Sequence, residues 1–115
     1  MDIQQRVVGN VTVLDLKSRM DWGDKELTLA ARVEALLGQQ RSRIVVNLEG
    51  VPFIDTKGIA ELVASHVTAK KRGGQLKLAR PQKHAREVLS VTKLDTVLEI
   101  FSSEQEALSS FPSGG

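Results

Sequence analysis

The sequence predicts a single α/β domain in which a mixed sheet of about five strands is packed with about four helices. Short β-branched stretches alternate with segments whose apolar residues recur at helical spacing, in the order ββαβαβαβα. A chain of 115 residues is long enough for one hydrophobic core. Aromatic residues make up only 3% of the chain, so this core is expected to be aliphatic. We assign residues 1–111 to the domain and residues 112–115 to a flexible tail.

The chain opens with a predicted antiparallel hairpin. Val7 and Val8 precede the pair Gly9-Asn10, and a second apolar stretch begins at Val11. Glycine readily takes the positive φ that the first central position of a type II′ turn requires. The first two strands are therefore expected to pair side by side around this turn.

A helix is predicted to follow, over residues 24–38. Asp24 can cap its N-terminus, and Gly38 is suited to end it. Between these two residues, four apolar side chains recur at helical spacing and are predicted to face the core: Leu29, Val33, Leu36 and Leu37.

Residues 43–50 are β-branched and almost continuously apolar, which is typical of a strand covered on both faces. The next helix is predicted to begin near Asp55 or Thr56 and to end at Gly73 and Gly74. Four apolar residues are predicted to form its buried face: Ile59, Leu62, Val63 and Val67.

Four more elements complete the chain. A strand is predicted over residues 75–81, a helix over 82–94, a short strand over 96–101 and a final helix from Ser103. Ser103 and Glu106 have the spacing of a capping box, which marks the start of that last helix. The helix over 82–94 is expected to bury Ala85, Val88, Leu89 and Thr92.

Charge and composition exclude several classes of function. Sixteen basic and 14 acidic residues leave a net charge of +2, which does not favour a nucleic-acid partner, and aromatic residues are too few for base stacking. No apolar run approaches the ~18 residues that cross a membrane. The start of the chain lacks a signal-peptide core. We therefore expect a cytoplasmic protein without membrane insertion.

Metal and cofactor sites are not expected. Cysteine is absent, which excludes disulfides and thiolate ligands. The two histidines lack a metal-binding spacing: His66 is expected to be half-buried with its hydrogen bonds satisfied, and His84 to lie on the surface. No glycine-rich phosphate-binding motif is present.

Four consecutive residues at one strand-to-helix junction combine an acid, a hydroxyl, a base and a glycine: Asp55, Thr56, Lys57 and Gly58. A helix N-cap needs one of Asp55 and Thr56, because either side chain can accept from the first helical N–H groups. Gly58 would let another backbone approach the first turn. The remaining polar group is surplus to structure, and a hydroxyl at a helix N-terminus lies where a phosphate is favoured.

The stretch "FIDTKGIAEL" resembles the signature of the STAS domain, the fold shared by bacterial anti-sigma factor antagonists and the tails of sulfate transporters. The family pattern is a hydrophobic pair, Asp, Ser or Thr, a small residue, Gly and then an apolar helix. The resemblance covers most of the chain. It includes the hairpin, the stretch "SRMD" that ends at Asp21, and "VLSVTKLDTVLEI" near the end. Lys57, Ala60 and Ser18 depart from the residues that are usual in the family.

The resemblance implies an anti-sigma factor antagonist that has no catalytic residue and no cofactor. Its partner would be a serine/threonine kinase that doubles as the anti-sigma factor, and Thr56 would be the phosphorylated residue. A phosphatase would reset the switch. The remaining partner-binding residues would be Asp21, Asp55, Lys57 and Gly58. The sequence leaves the oligomeric state open.

Two alternatives remain at this point. Lys57 could mark a STAS subunit of a larger assembly, either a stressosome-like scaffold or a lipid ABC transporter, which binds partners without phosphorylation. The alternative from another class is a small phosphotransferase with Asp55 as its nucleophile. Such an enzyme needs acidic Mg²⁺ ligands, which Asp15, Asp21 and Asp24 could supply.

Overall fold

A computed structural model describes residues 2–17 and 29–112 of the chain. Within these residues it confirms a single α/β fold with the predicted order of strands and helices. The predicted helix cap at Asp24, the predicted partner-binding residue Asp21 and the "SRMD" turn lie outside the described residues.

The described elements alternate between strand and helix after an opening hairpin. In chain order they are β1 (Asp2–Val8), β2 (Val11–Lys17), α1 (Leu29–Gly38), β3 (Arg43–Gly50), α2 (Thr56–Lys71), β4 (Gln75–Ala79), α3 (Lys83–Val91), a 3-10 turn (Leu94–Thr96), β5 (Ile100–Phe101) and α4 (Glu104–Ser109).

The strands form one mixed sheet in the order β1-β2-β3-β4-β5. β1 pairs antiparallel with β2 through the predicted turn, where Gly9 has a φ of 63°. The other neighbouring pairs are parallel. Parallel strands have their carboxyl ends at the same edge of a sheet. The connections from β3 to α2 and from β4 to α3 therefore leave the sheet at the same edge.

Each face of the sheet is covered by helices. On one face, α1, α2 and α3 pack on aliphatic side chains from β2, β3 and β4, including Leu14, Leu16, Ile44, Val46 and Leu78. On the other face, α4 covers a smaller cluster of Val11, Val13, Val45 and Ala79 with its own Ala107 and with Phe111. β3 is therefore buried on both sides, as its continuous apolar sequence predicts.

The predicted buried face of α2 is partly wrong. The residues that α2 buries are Gly58, Leu62, Ser65 and Ala69, whereas Val63 is only half-buried and Val67 is 41% exposed. α2 packs against both α1 and β4, and small residues allow a helix to lie close to its neighbours. The hydroxyl of Ser65 is satisfied by the carbonyl of Glu61 at 2.8 Å. The spacing of apolar residues therefore predicted a buried face of α2 that is rotated about the helix axis from the face that is buried in the structure.

The C-terminal part of the chain also differs from the prediction. The last strand is confined to Ile100–Phe101, because the chain makes a left-handed turn at Lys93 and then a 3-10 turn before it reaches the sheet. Thr92 is exposed, with its hydroxyl bonded to the carbonyl of Val88. The predicted cap of α4 at Ser103 is confirmed, since Ser103 Oγ accepts from the N–H of Glu106 at 3.1 Å, and the Ser103 hydroxyl donates to the Glu106 carboxylate at 3.0 Å.

Contacts near the end of the described chain hold α4 against the sheet. Phe111 is buried, and the carbonyl of Pro112 accepts a hydrogen bond from Arg43 at 2.9 Å. Among the residues described here, no helix is both long enough and apolar enough to cross a membrane.

Candidate functional site

The candidate site is the lip, residues 53–58, where the chain passes from β3 into α2. Two buried side chains, Val51 and Ile54, anchor the connection in the core. The N–H of Val51 also donates to the carbonyl of Leu48 at 3.0 Å, which turns the chain directly after the strand. The start of α2 is therefore tied to the central strand of the sheet.

Asp55 caps the helix. Its backbone is extended (φ −110°, ψ −171°), and its Oδ1 accepts from the N–H of Gly58 at 3.0 Å. Its carbonyl accepts the first intrahelical bond, from the N–H of Ile59 at 2.9 Å. Of the two capping residues that the sequence allowed, the structure thus selects Asp55.

Thr56 is the first residue of α2 and is exposed. Its hydroxyl makes no hydrogen bond to any part of the chain that the structure describes, so the cap does not use it. It lies at the positive end of a 16-residue helix, where the first N–H groups and the helix dipole favour a negative charge. Lys57 is half-buried and Gly58 is buried.

His84 belongs to the surroundings of the lip, and its predicted surface position is wrong. The side chain is half-buried, and its ring stacks on Phe53 with centroids 4.7 Å apart and planes inclined by 21°. His84 Nδ1 accepts from the backbone N–H of Ile54 at 3.2 Å. The sequence analysis missed this contact because the two segments lie 30 positions apart and only the sheet brings them together.

Polar contacts join the ends of β3 and β4 beside the lip. Arg80 forms an ion pair with Glu49 at 2.8 Å, and the side chain of Gln82 donates to the carbonyl of Glu49. Gly50 lies so close to β2 that a Cβ there would sit 2.5 Å from the carbonyl oxygen of Leu16. These contacts fix the edge of the sheet from which both α2 and α3 start.

The structure does not bring Asp15 to the lip. Asp15 lies on the face of the sheet that α4 covers, whereas α2 packs on the opposite face. It accepts from Arg6 at 2.6 Å and from Asn47 at 2.8 Å, and these hydrogen bonds, mainly the one from Arg6, lower the pKa of the Asp15 carboxyl. Arg6 also bonds Glu104 of α4, so this group ties α4 to the hairpin. Among the described residues, no group of three His, Asp or Glu side chains could hold a metal ion.

His66 lies on α2, away from the lip, and its burial is partly as predicted. The side chain is half-buried, but the expectation that its hydrogen bonds are satisfied is wrong for Nδ1, a buried atom without a partner within the described segments. Burial, reinforced by the nearby Lys70 charge, lowers the pKa of His66, against a smaller opposing effect of Glu99.

The fold and the sequence together define the family. A family model described as "STAS domain" matches residues 2–107, which is nearly the whole chain. The chain therefore belongs to the STAS domain family, as the resemblance of "FIDTKGIAEL" implied.

Individual relatives are distant in sequence and close in fold. An anti-sigma F factor antagonist from Paenibacillus polymyxa is 20% identical over 98 residues, which cover 85% of this chain and 84% of that protein. An anti-sigma factor antagonist from Mycobacterium paratuberculosis is 18% identical with a TM-score of 0.82, covering 94% of this chain and 91% of that one. The Bacillus cell fate determinant SpoIIAA, solved in its phosphorylated form, is 21% identical with a TM-score of 0.70, covering 94% and 97%.

The same fold also occurs inside a larger membrane protein. The murine anion transporter Slc26a9 matches 90% of this chain at 20% identity with a TM-score of 0.73, but the match takes up only 18% of the transporter. Similarity of fold is thus shared by antagonists and by a transporter, and it does not by itself separate their functions.

Proposed function

We propose that this chain is an anti-sigma factor antagonist, a binding module that is switched by phosphorylation of Thr56. The observation that carries the proposal is that two adjacent polar residues of the lip have separate roles. Asp55 supplies the helix cap, and Thr56 beside it presents an exposed hydroxyl that the cap does not use. The named relative from Paenibacillus polymyxa and the phosphorylated form of SpoIIAA support this reading.

In its unphosphorylated form, the chain binds a serine/threonine kinase that acts as an anti-sigma factor and thereby frees the sigma factor. The partner contacts the lip, where Asp55, Thr56, Lys57 and Gly58 follow one another around the first turn of α2. Asp21 is proposed as a further contact from the family resemblance. The chain itself contributes no catalytic group, and a phosphatase returns it to the binding form.

The off switch acts at the interface and leaves the fold intact. A phosphate at a helix N-terminus stabilises that helix by roughly 0.3–1 kcal/mol, because it faces the N–H groups and the dipole. Charge placed against an unsuited partner surface costs several kcal/mol, and about 1.4 kcal/mol corresponds to a tenfold loss of affinity. Phosphorylated Thr56 therefore ends binding through repulsion and desolvation, while α2 stays folded.

A labelling experiment tests the proposal. The purified chain is incubated with Mg²⁺ and radiolabelled ATP, with and without a candidate anti-sigma factor kinase from the source organism, and the label is mapped by mass spectrometry. We expect an acid-stable label on Thr56 that requires the kinase and is absent from Thr56→Ala. A base-labile label on Asp55 that forms without the kinase would instead identify a phosphotransferase. Label on Thr56 is the result that the structure favours. The Asp55 carboxylate is engaged in capping α2, and Asp15 lies on the opposite face of the sheet.

The second candidate function is a STAS subunit of a larger assembly that binds without phosphorylation. The occurrence of this fold within Slc26a9 and the half-buried Lys57, where the family usually has a small residue, favour it. Affinity purification of the tagged chain separates the two. Recovery of a transporter ATPase or of scaffold subunits, with Thr56 unmodified, supports the assembly role.

A further inference from the structure

A ring from α3 holds the segment that leads into Thr56. His84 Nδ1 accepts from the backbone N–H of Ile54 at 3.2 Å, and the same ring stacks on Phe53. A ring nitrogen that accepts a hydrogen bond carries no hydrogen, so His84 is the neutral Nε2–H tautomer in this arrangement. One side chain of α3 thus binds both the main chain and a neighbouring ring of the lip.

The contact with His84 is made to a backbone segment very close to Thr56. Ile54 is only two residues from Thr56, and its side chain is 1% exposed, which fixes the chain on the core side. Asp55 fixes the beginning of the helix through Gly58, but both of these residues belong to α2 and its cap. His84 adds a link from the lip to a different helix, α3.

We propose that His84 is a positioning residue for the lip, holding Ile54 so that Thr56 is presented in the orientation that the partner kinase grips. The regulatory part of this inference rests on the proposed function, whereas the local part does not. If the hydrogen bond is lost, the lip samples other orientations, and the partner must order it again on binding. Ordering a segment on binding weakens affinity without changing the chemistry that follows.

Two substitutions separate the two contacts of His84. His84→Phe keeps a ring for Phe53 but has no acceptor for Ile54. His84→Asn keeps an acceptor oxygen close to the place of Nδ1 but has no ring. Arg86→Ala, at an exposed position on the same helix, is the matched control. Urea unfolding of each variant measures any global loss of stability.

The first readout is amide hydrogen exchange by NMR in the isolated chain. We expect the Ile54 amide to exchange about fivefold faster in His84→Phe, the effect of losing one net hydrogen bond, and at nearly the wild-type rate in His84→Asn and Arg86→Ala. The proposal is overturned if His84→Phe exchanges like the wild type. It is also overturned if both His84 variants exchange faster only in proportion to a global loss of stability.

The second readout is phosphorylation of Thr56 by the kinase that labels the wild-type chain. We expect His84→Phe to raise KM for the chain about fivefold with kcat unchanged, and His84→Asn to restore KM. Unchanged KM in His84→Phe contradicts the regulatory part. If no kinase labels the wild-type chain, the proposed function fails, and exchange at Ile54 still decides whether His84 orders the lip.

Discussion

The carboxylate of Asp55 accepts a hydrogen bond from the backbone N–H of Gly58 at 3.0 Å. This relationship assigns the structural role at the start of α2 to Asp55, and it leaves the hydroxyl of the next residue, Thr56, exposed. Two neighbouring polar residues, both able to cap a helix, therefore do different work. The two roles can be measured separately, because that of Asp55 concerns the stability of the fold and that of Thr56 concerns partner binding.

Removal of the cap should destabilise the fold. We expect Asp55→Ala to lower the free energy of unfolding by about 1 kcal/mol, since a helix N–H loses its acceptor. Thr56→Ala, one residue away, should change it by less than about 0.5 kcal/mol, because the cap does not use this hydroxyl. Urea titration of both variants provides the measurement. Equal losses at the two positions would show that the hydroxyl shares the capping role.

A methyl group at Gly50 should disturb the edge of the sheet. The Cβ of Gly50→Ala would lie 2.5 Å from the carbonyl oxygen of Leu16, so backbone must shift, at a cost of about 1–3 kcal/mol. Gly38→Ala is the control, because a Cβ there meets nothing within 4 Å and alanine favours the helix. Thermal unfolding should show opposite shifts in Tm for the two variants. A wild-type Tm for Gly50→Ala would mean that the close approach to β2 is easily relaxed.

Acid should weaken the attachment of α4 through Asp15. The hydrogen bonds from Arg6 and Asn47 lower the pKa of Asp15 below its ordinary value of 3.8. A carboxyl group with a depressed pKa stabilises the fold above that ordinary value, and this contribution is lost as pH falls through the lower, folded-state pKa. We expect a loss of roughly 1 kcal/mol, kept small because Arg6 is partly exposed.

The control for that prediction is Asp15→Asn, which has no carboxyl group to titrate. Its free energy of unfolding should be lower than that of the wild type at neutral pH, and the difference should shrink as the pH falls below 3.8. Urea titrations of both proteins across this range measure the difference. A constant gap between the two proteins over the whole range would exclude Asp15 as the titrating group.

The sequence predicted elements well where one physical signal dominated. The continuous apolar run of β3 and the spacing of Leu29 and Val33 in α1 indicated burial correctly, because no other force competed at these positions. On α2, close packing against neighbouring elements favoured small residues, and the buried face turned toward Ser65 and Ala69. A count of apolar residues alone cannot detect this effect.

Tertiary contacts between distant segments could not be predicted from sequence patterns. Lys77 lies in β4 with an ordinary alternating pattern, yet it is 6% exposed, with its ammonium group 4.4 Å from the centre of the Phe111 ring and bonded to Ser110. His84 likewise finds Ile54 only because the ends of β3 and β4 are neighbours. At the lip itself, the pattern of adjacent residues from Asp55 to Gly58 was enough to locate the strand-to-helix junction. The His84 ring that contacts this junction could not be predicted in the same way.

The most direct test of the central claim is the affinity of the partner anti-sigma factor kinase for Thr56→Glu, measured by isothermal titration calorimetry. Ser90→Glu, which adds the same charge at an exposed position of α3, is the control. We expect Thr56→Glu to unfold at the wild-type urea concentration or a slightly higher one and to lose at least about tenfold in affinity, which corresponds to 1.4 kcal/mol, while Ser90→Glu and Thr56→Ala bind like the wild type. Wild-type affinity in a folded Thr56→Glu would contradict the charge switch.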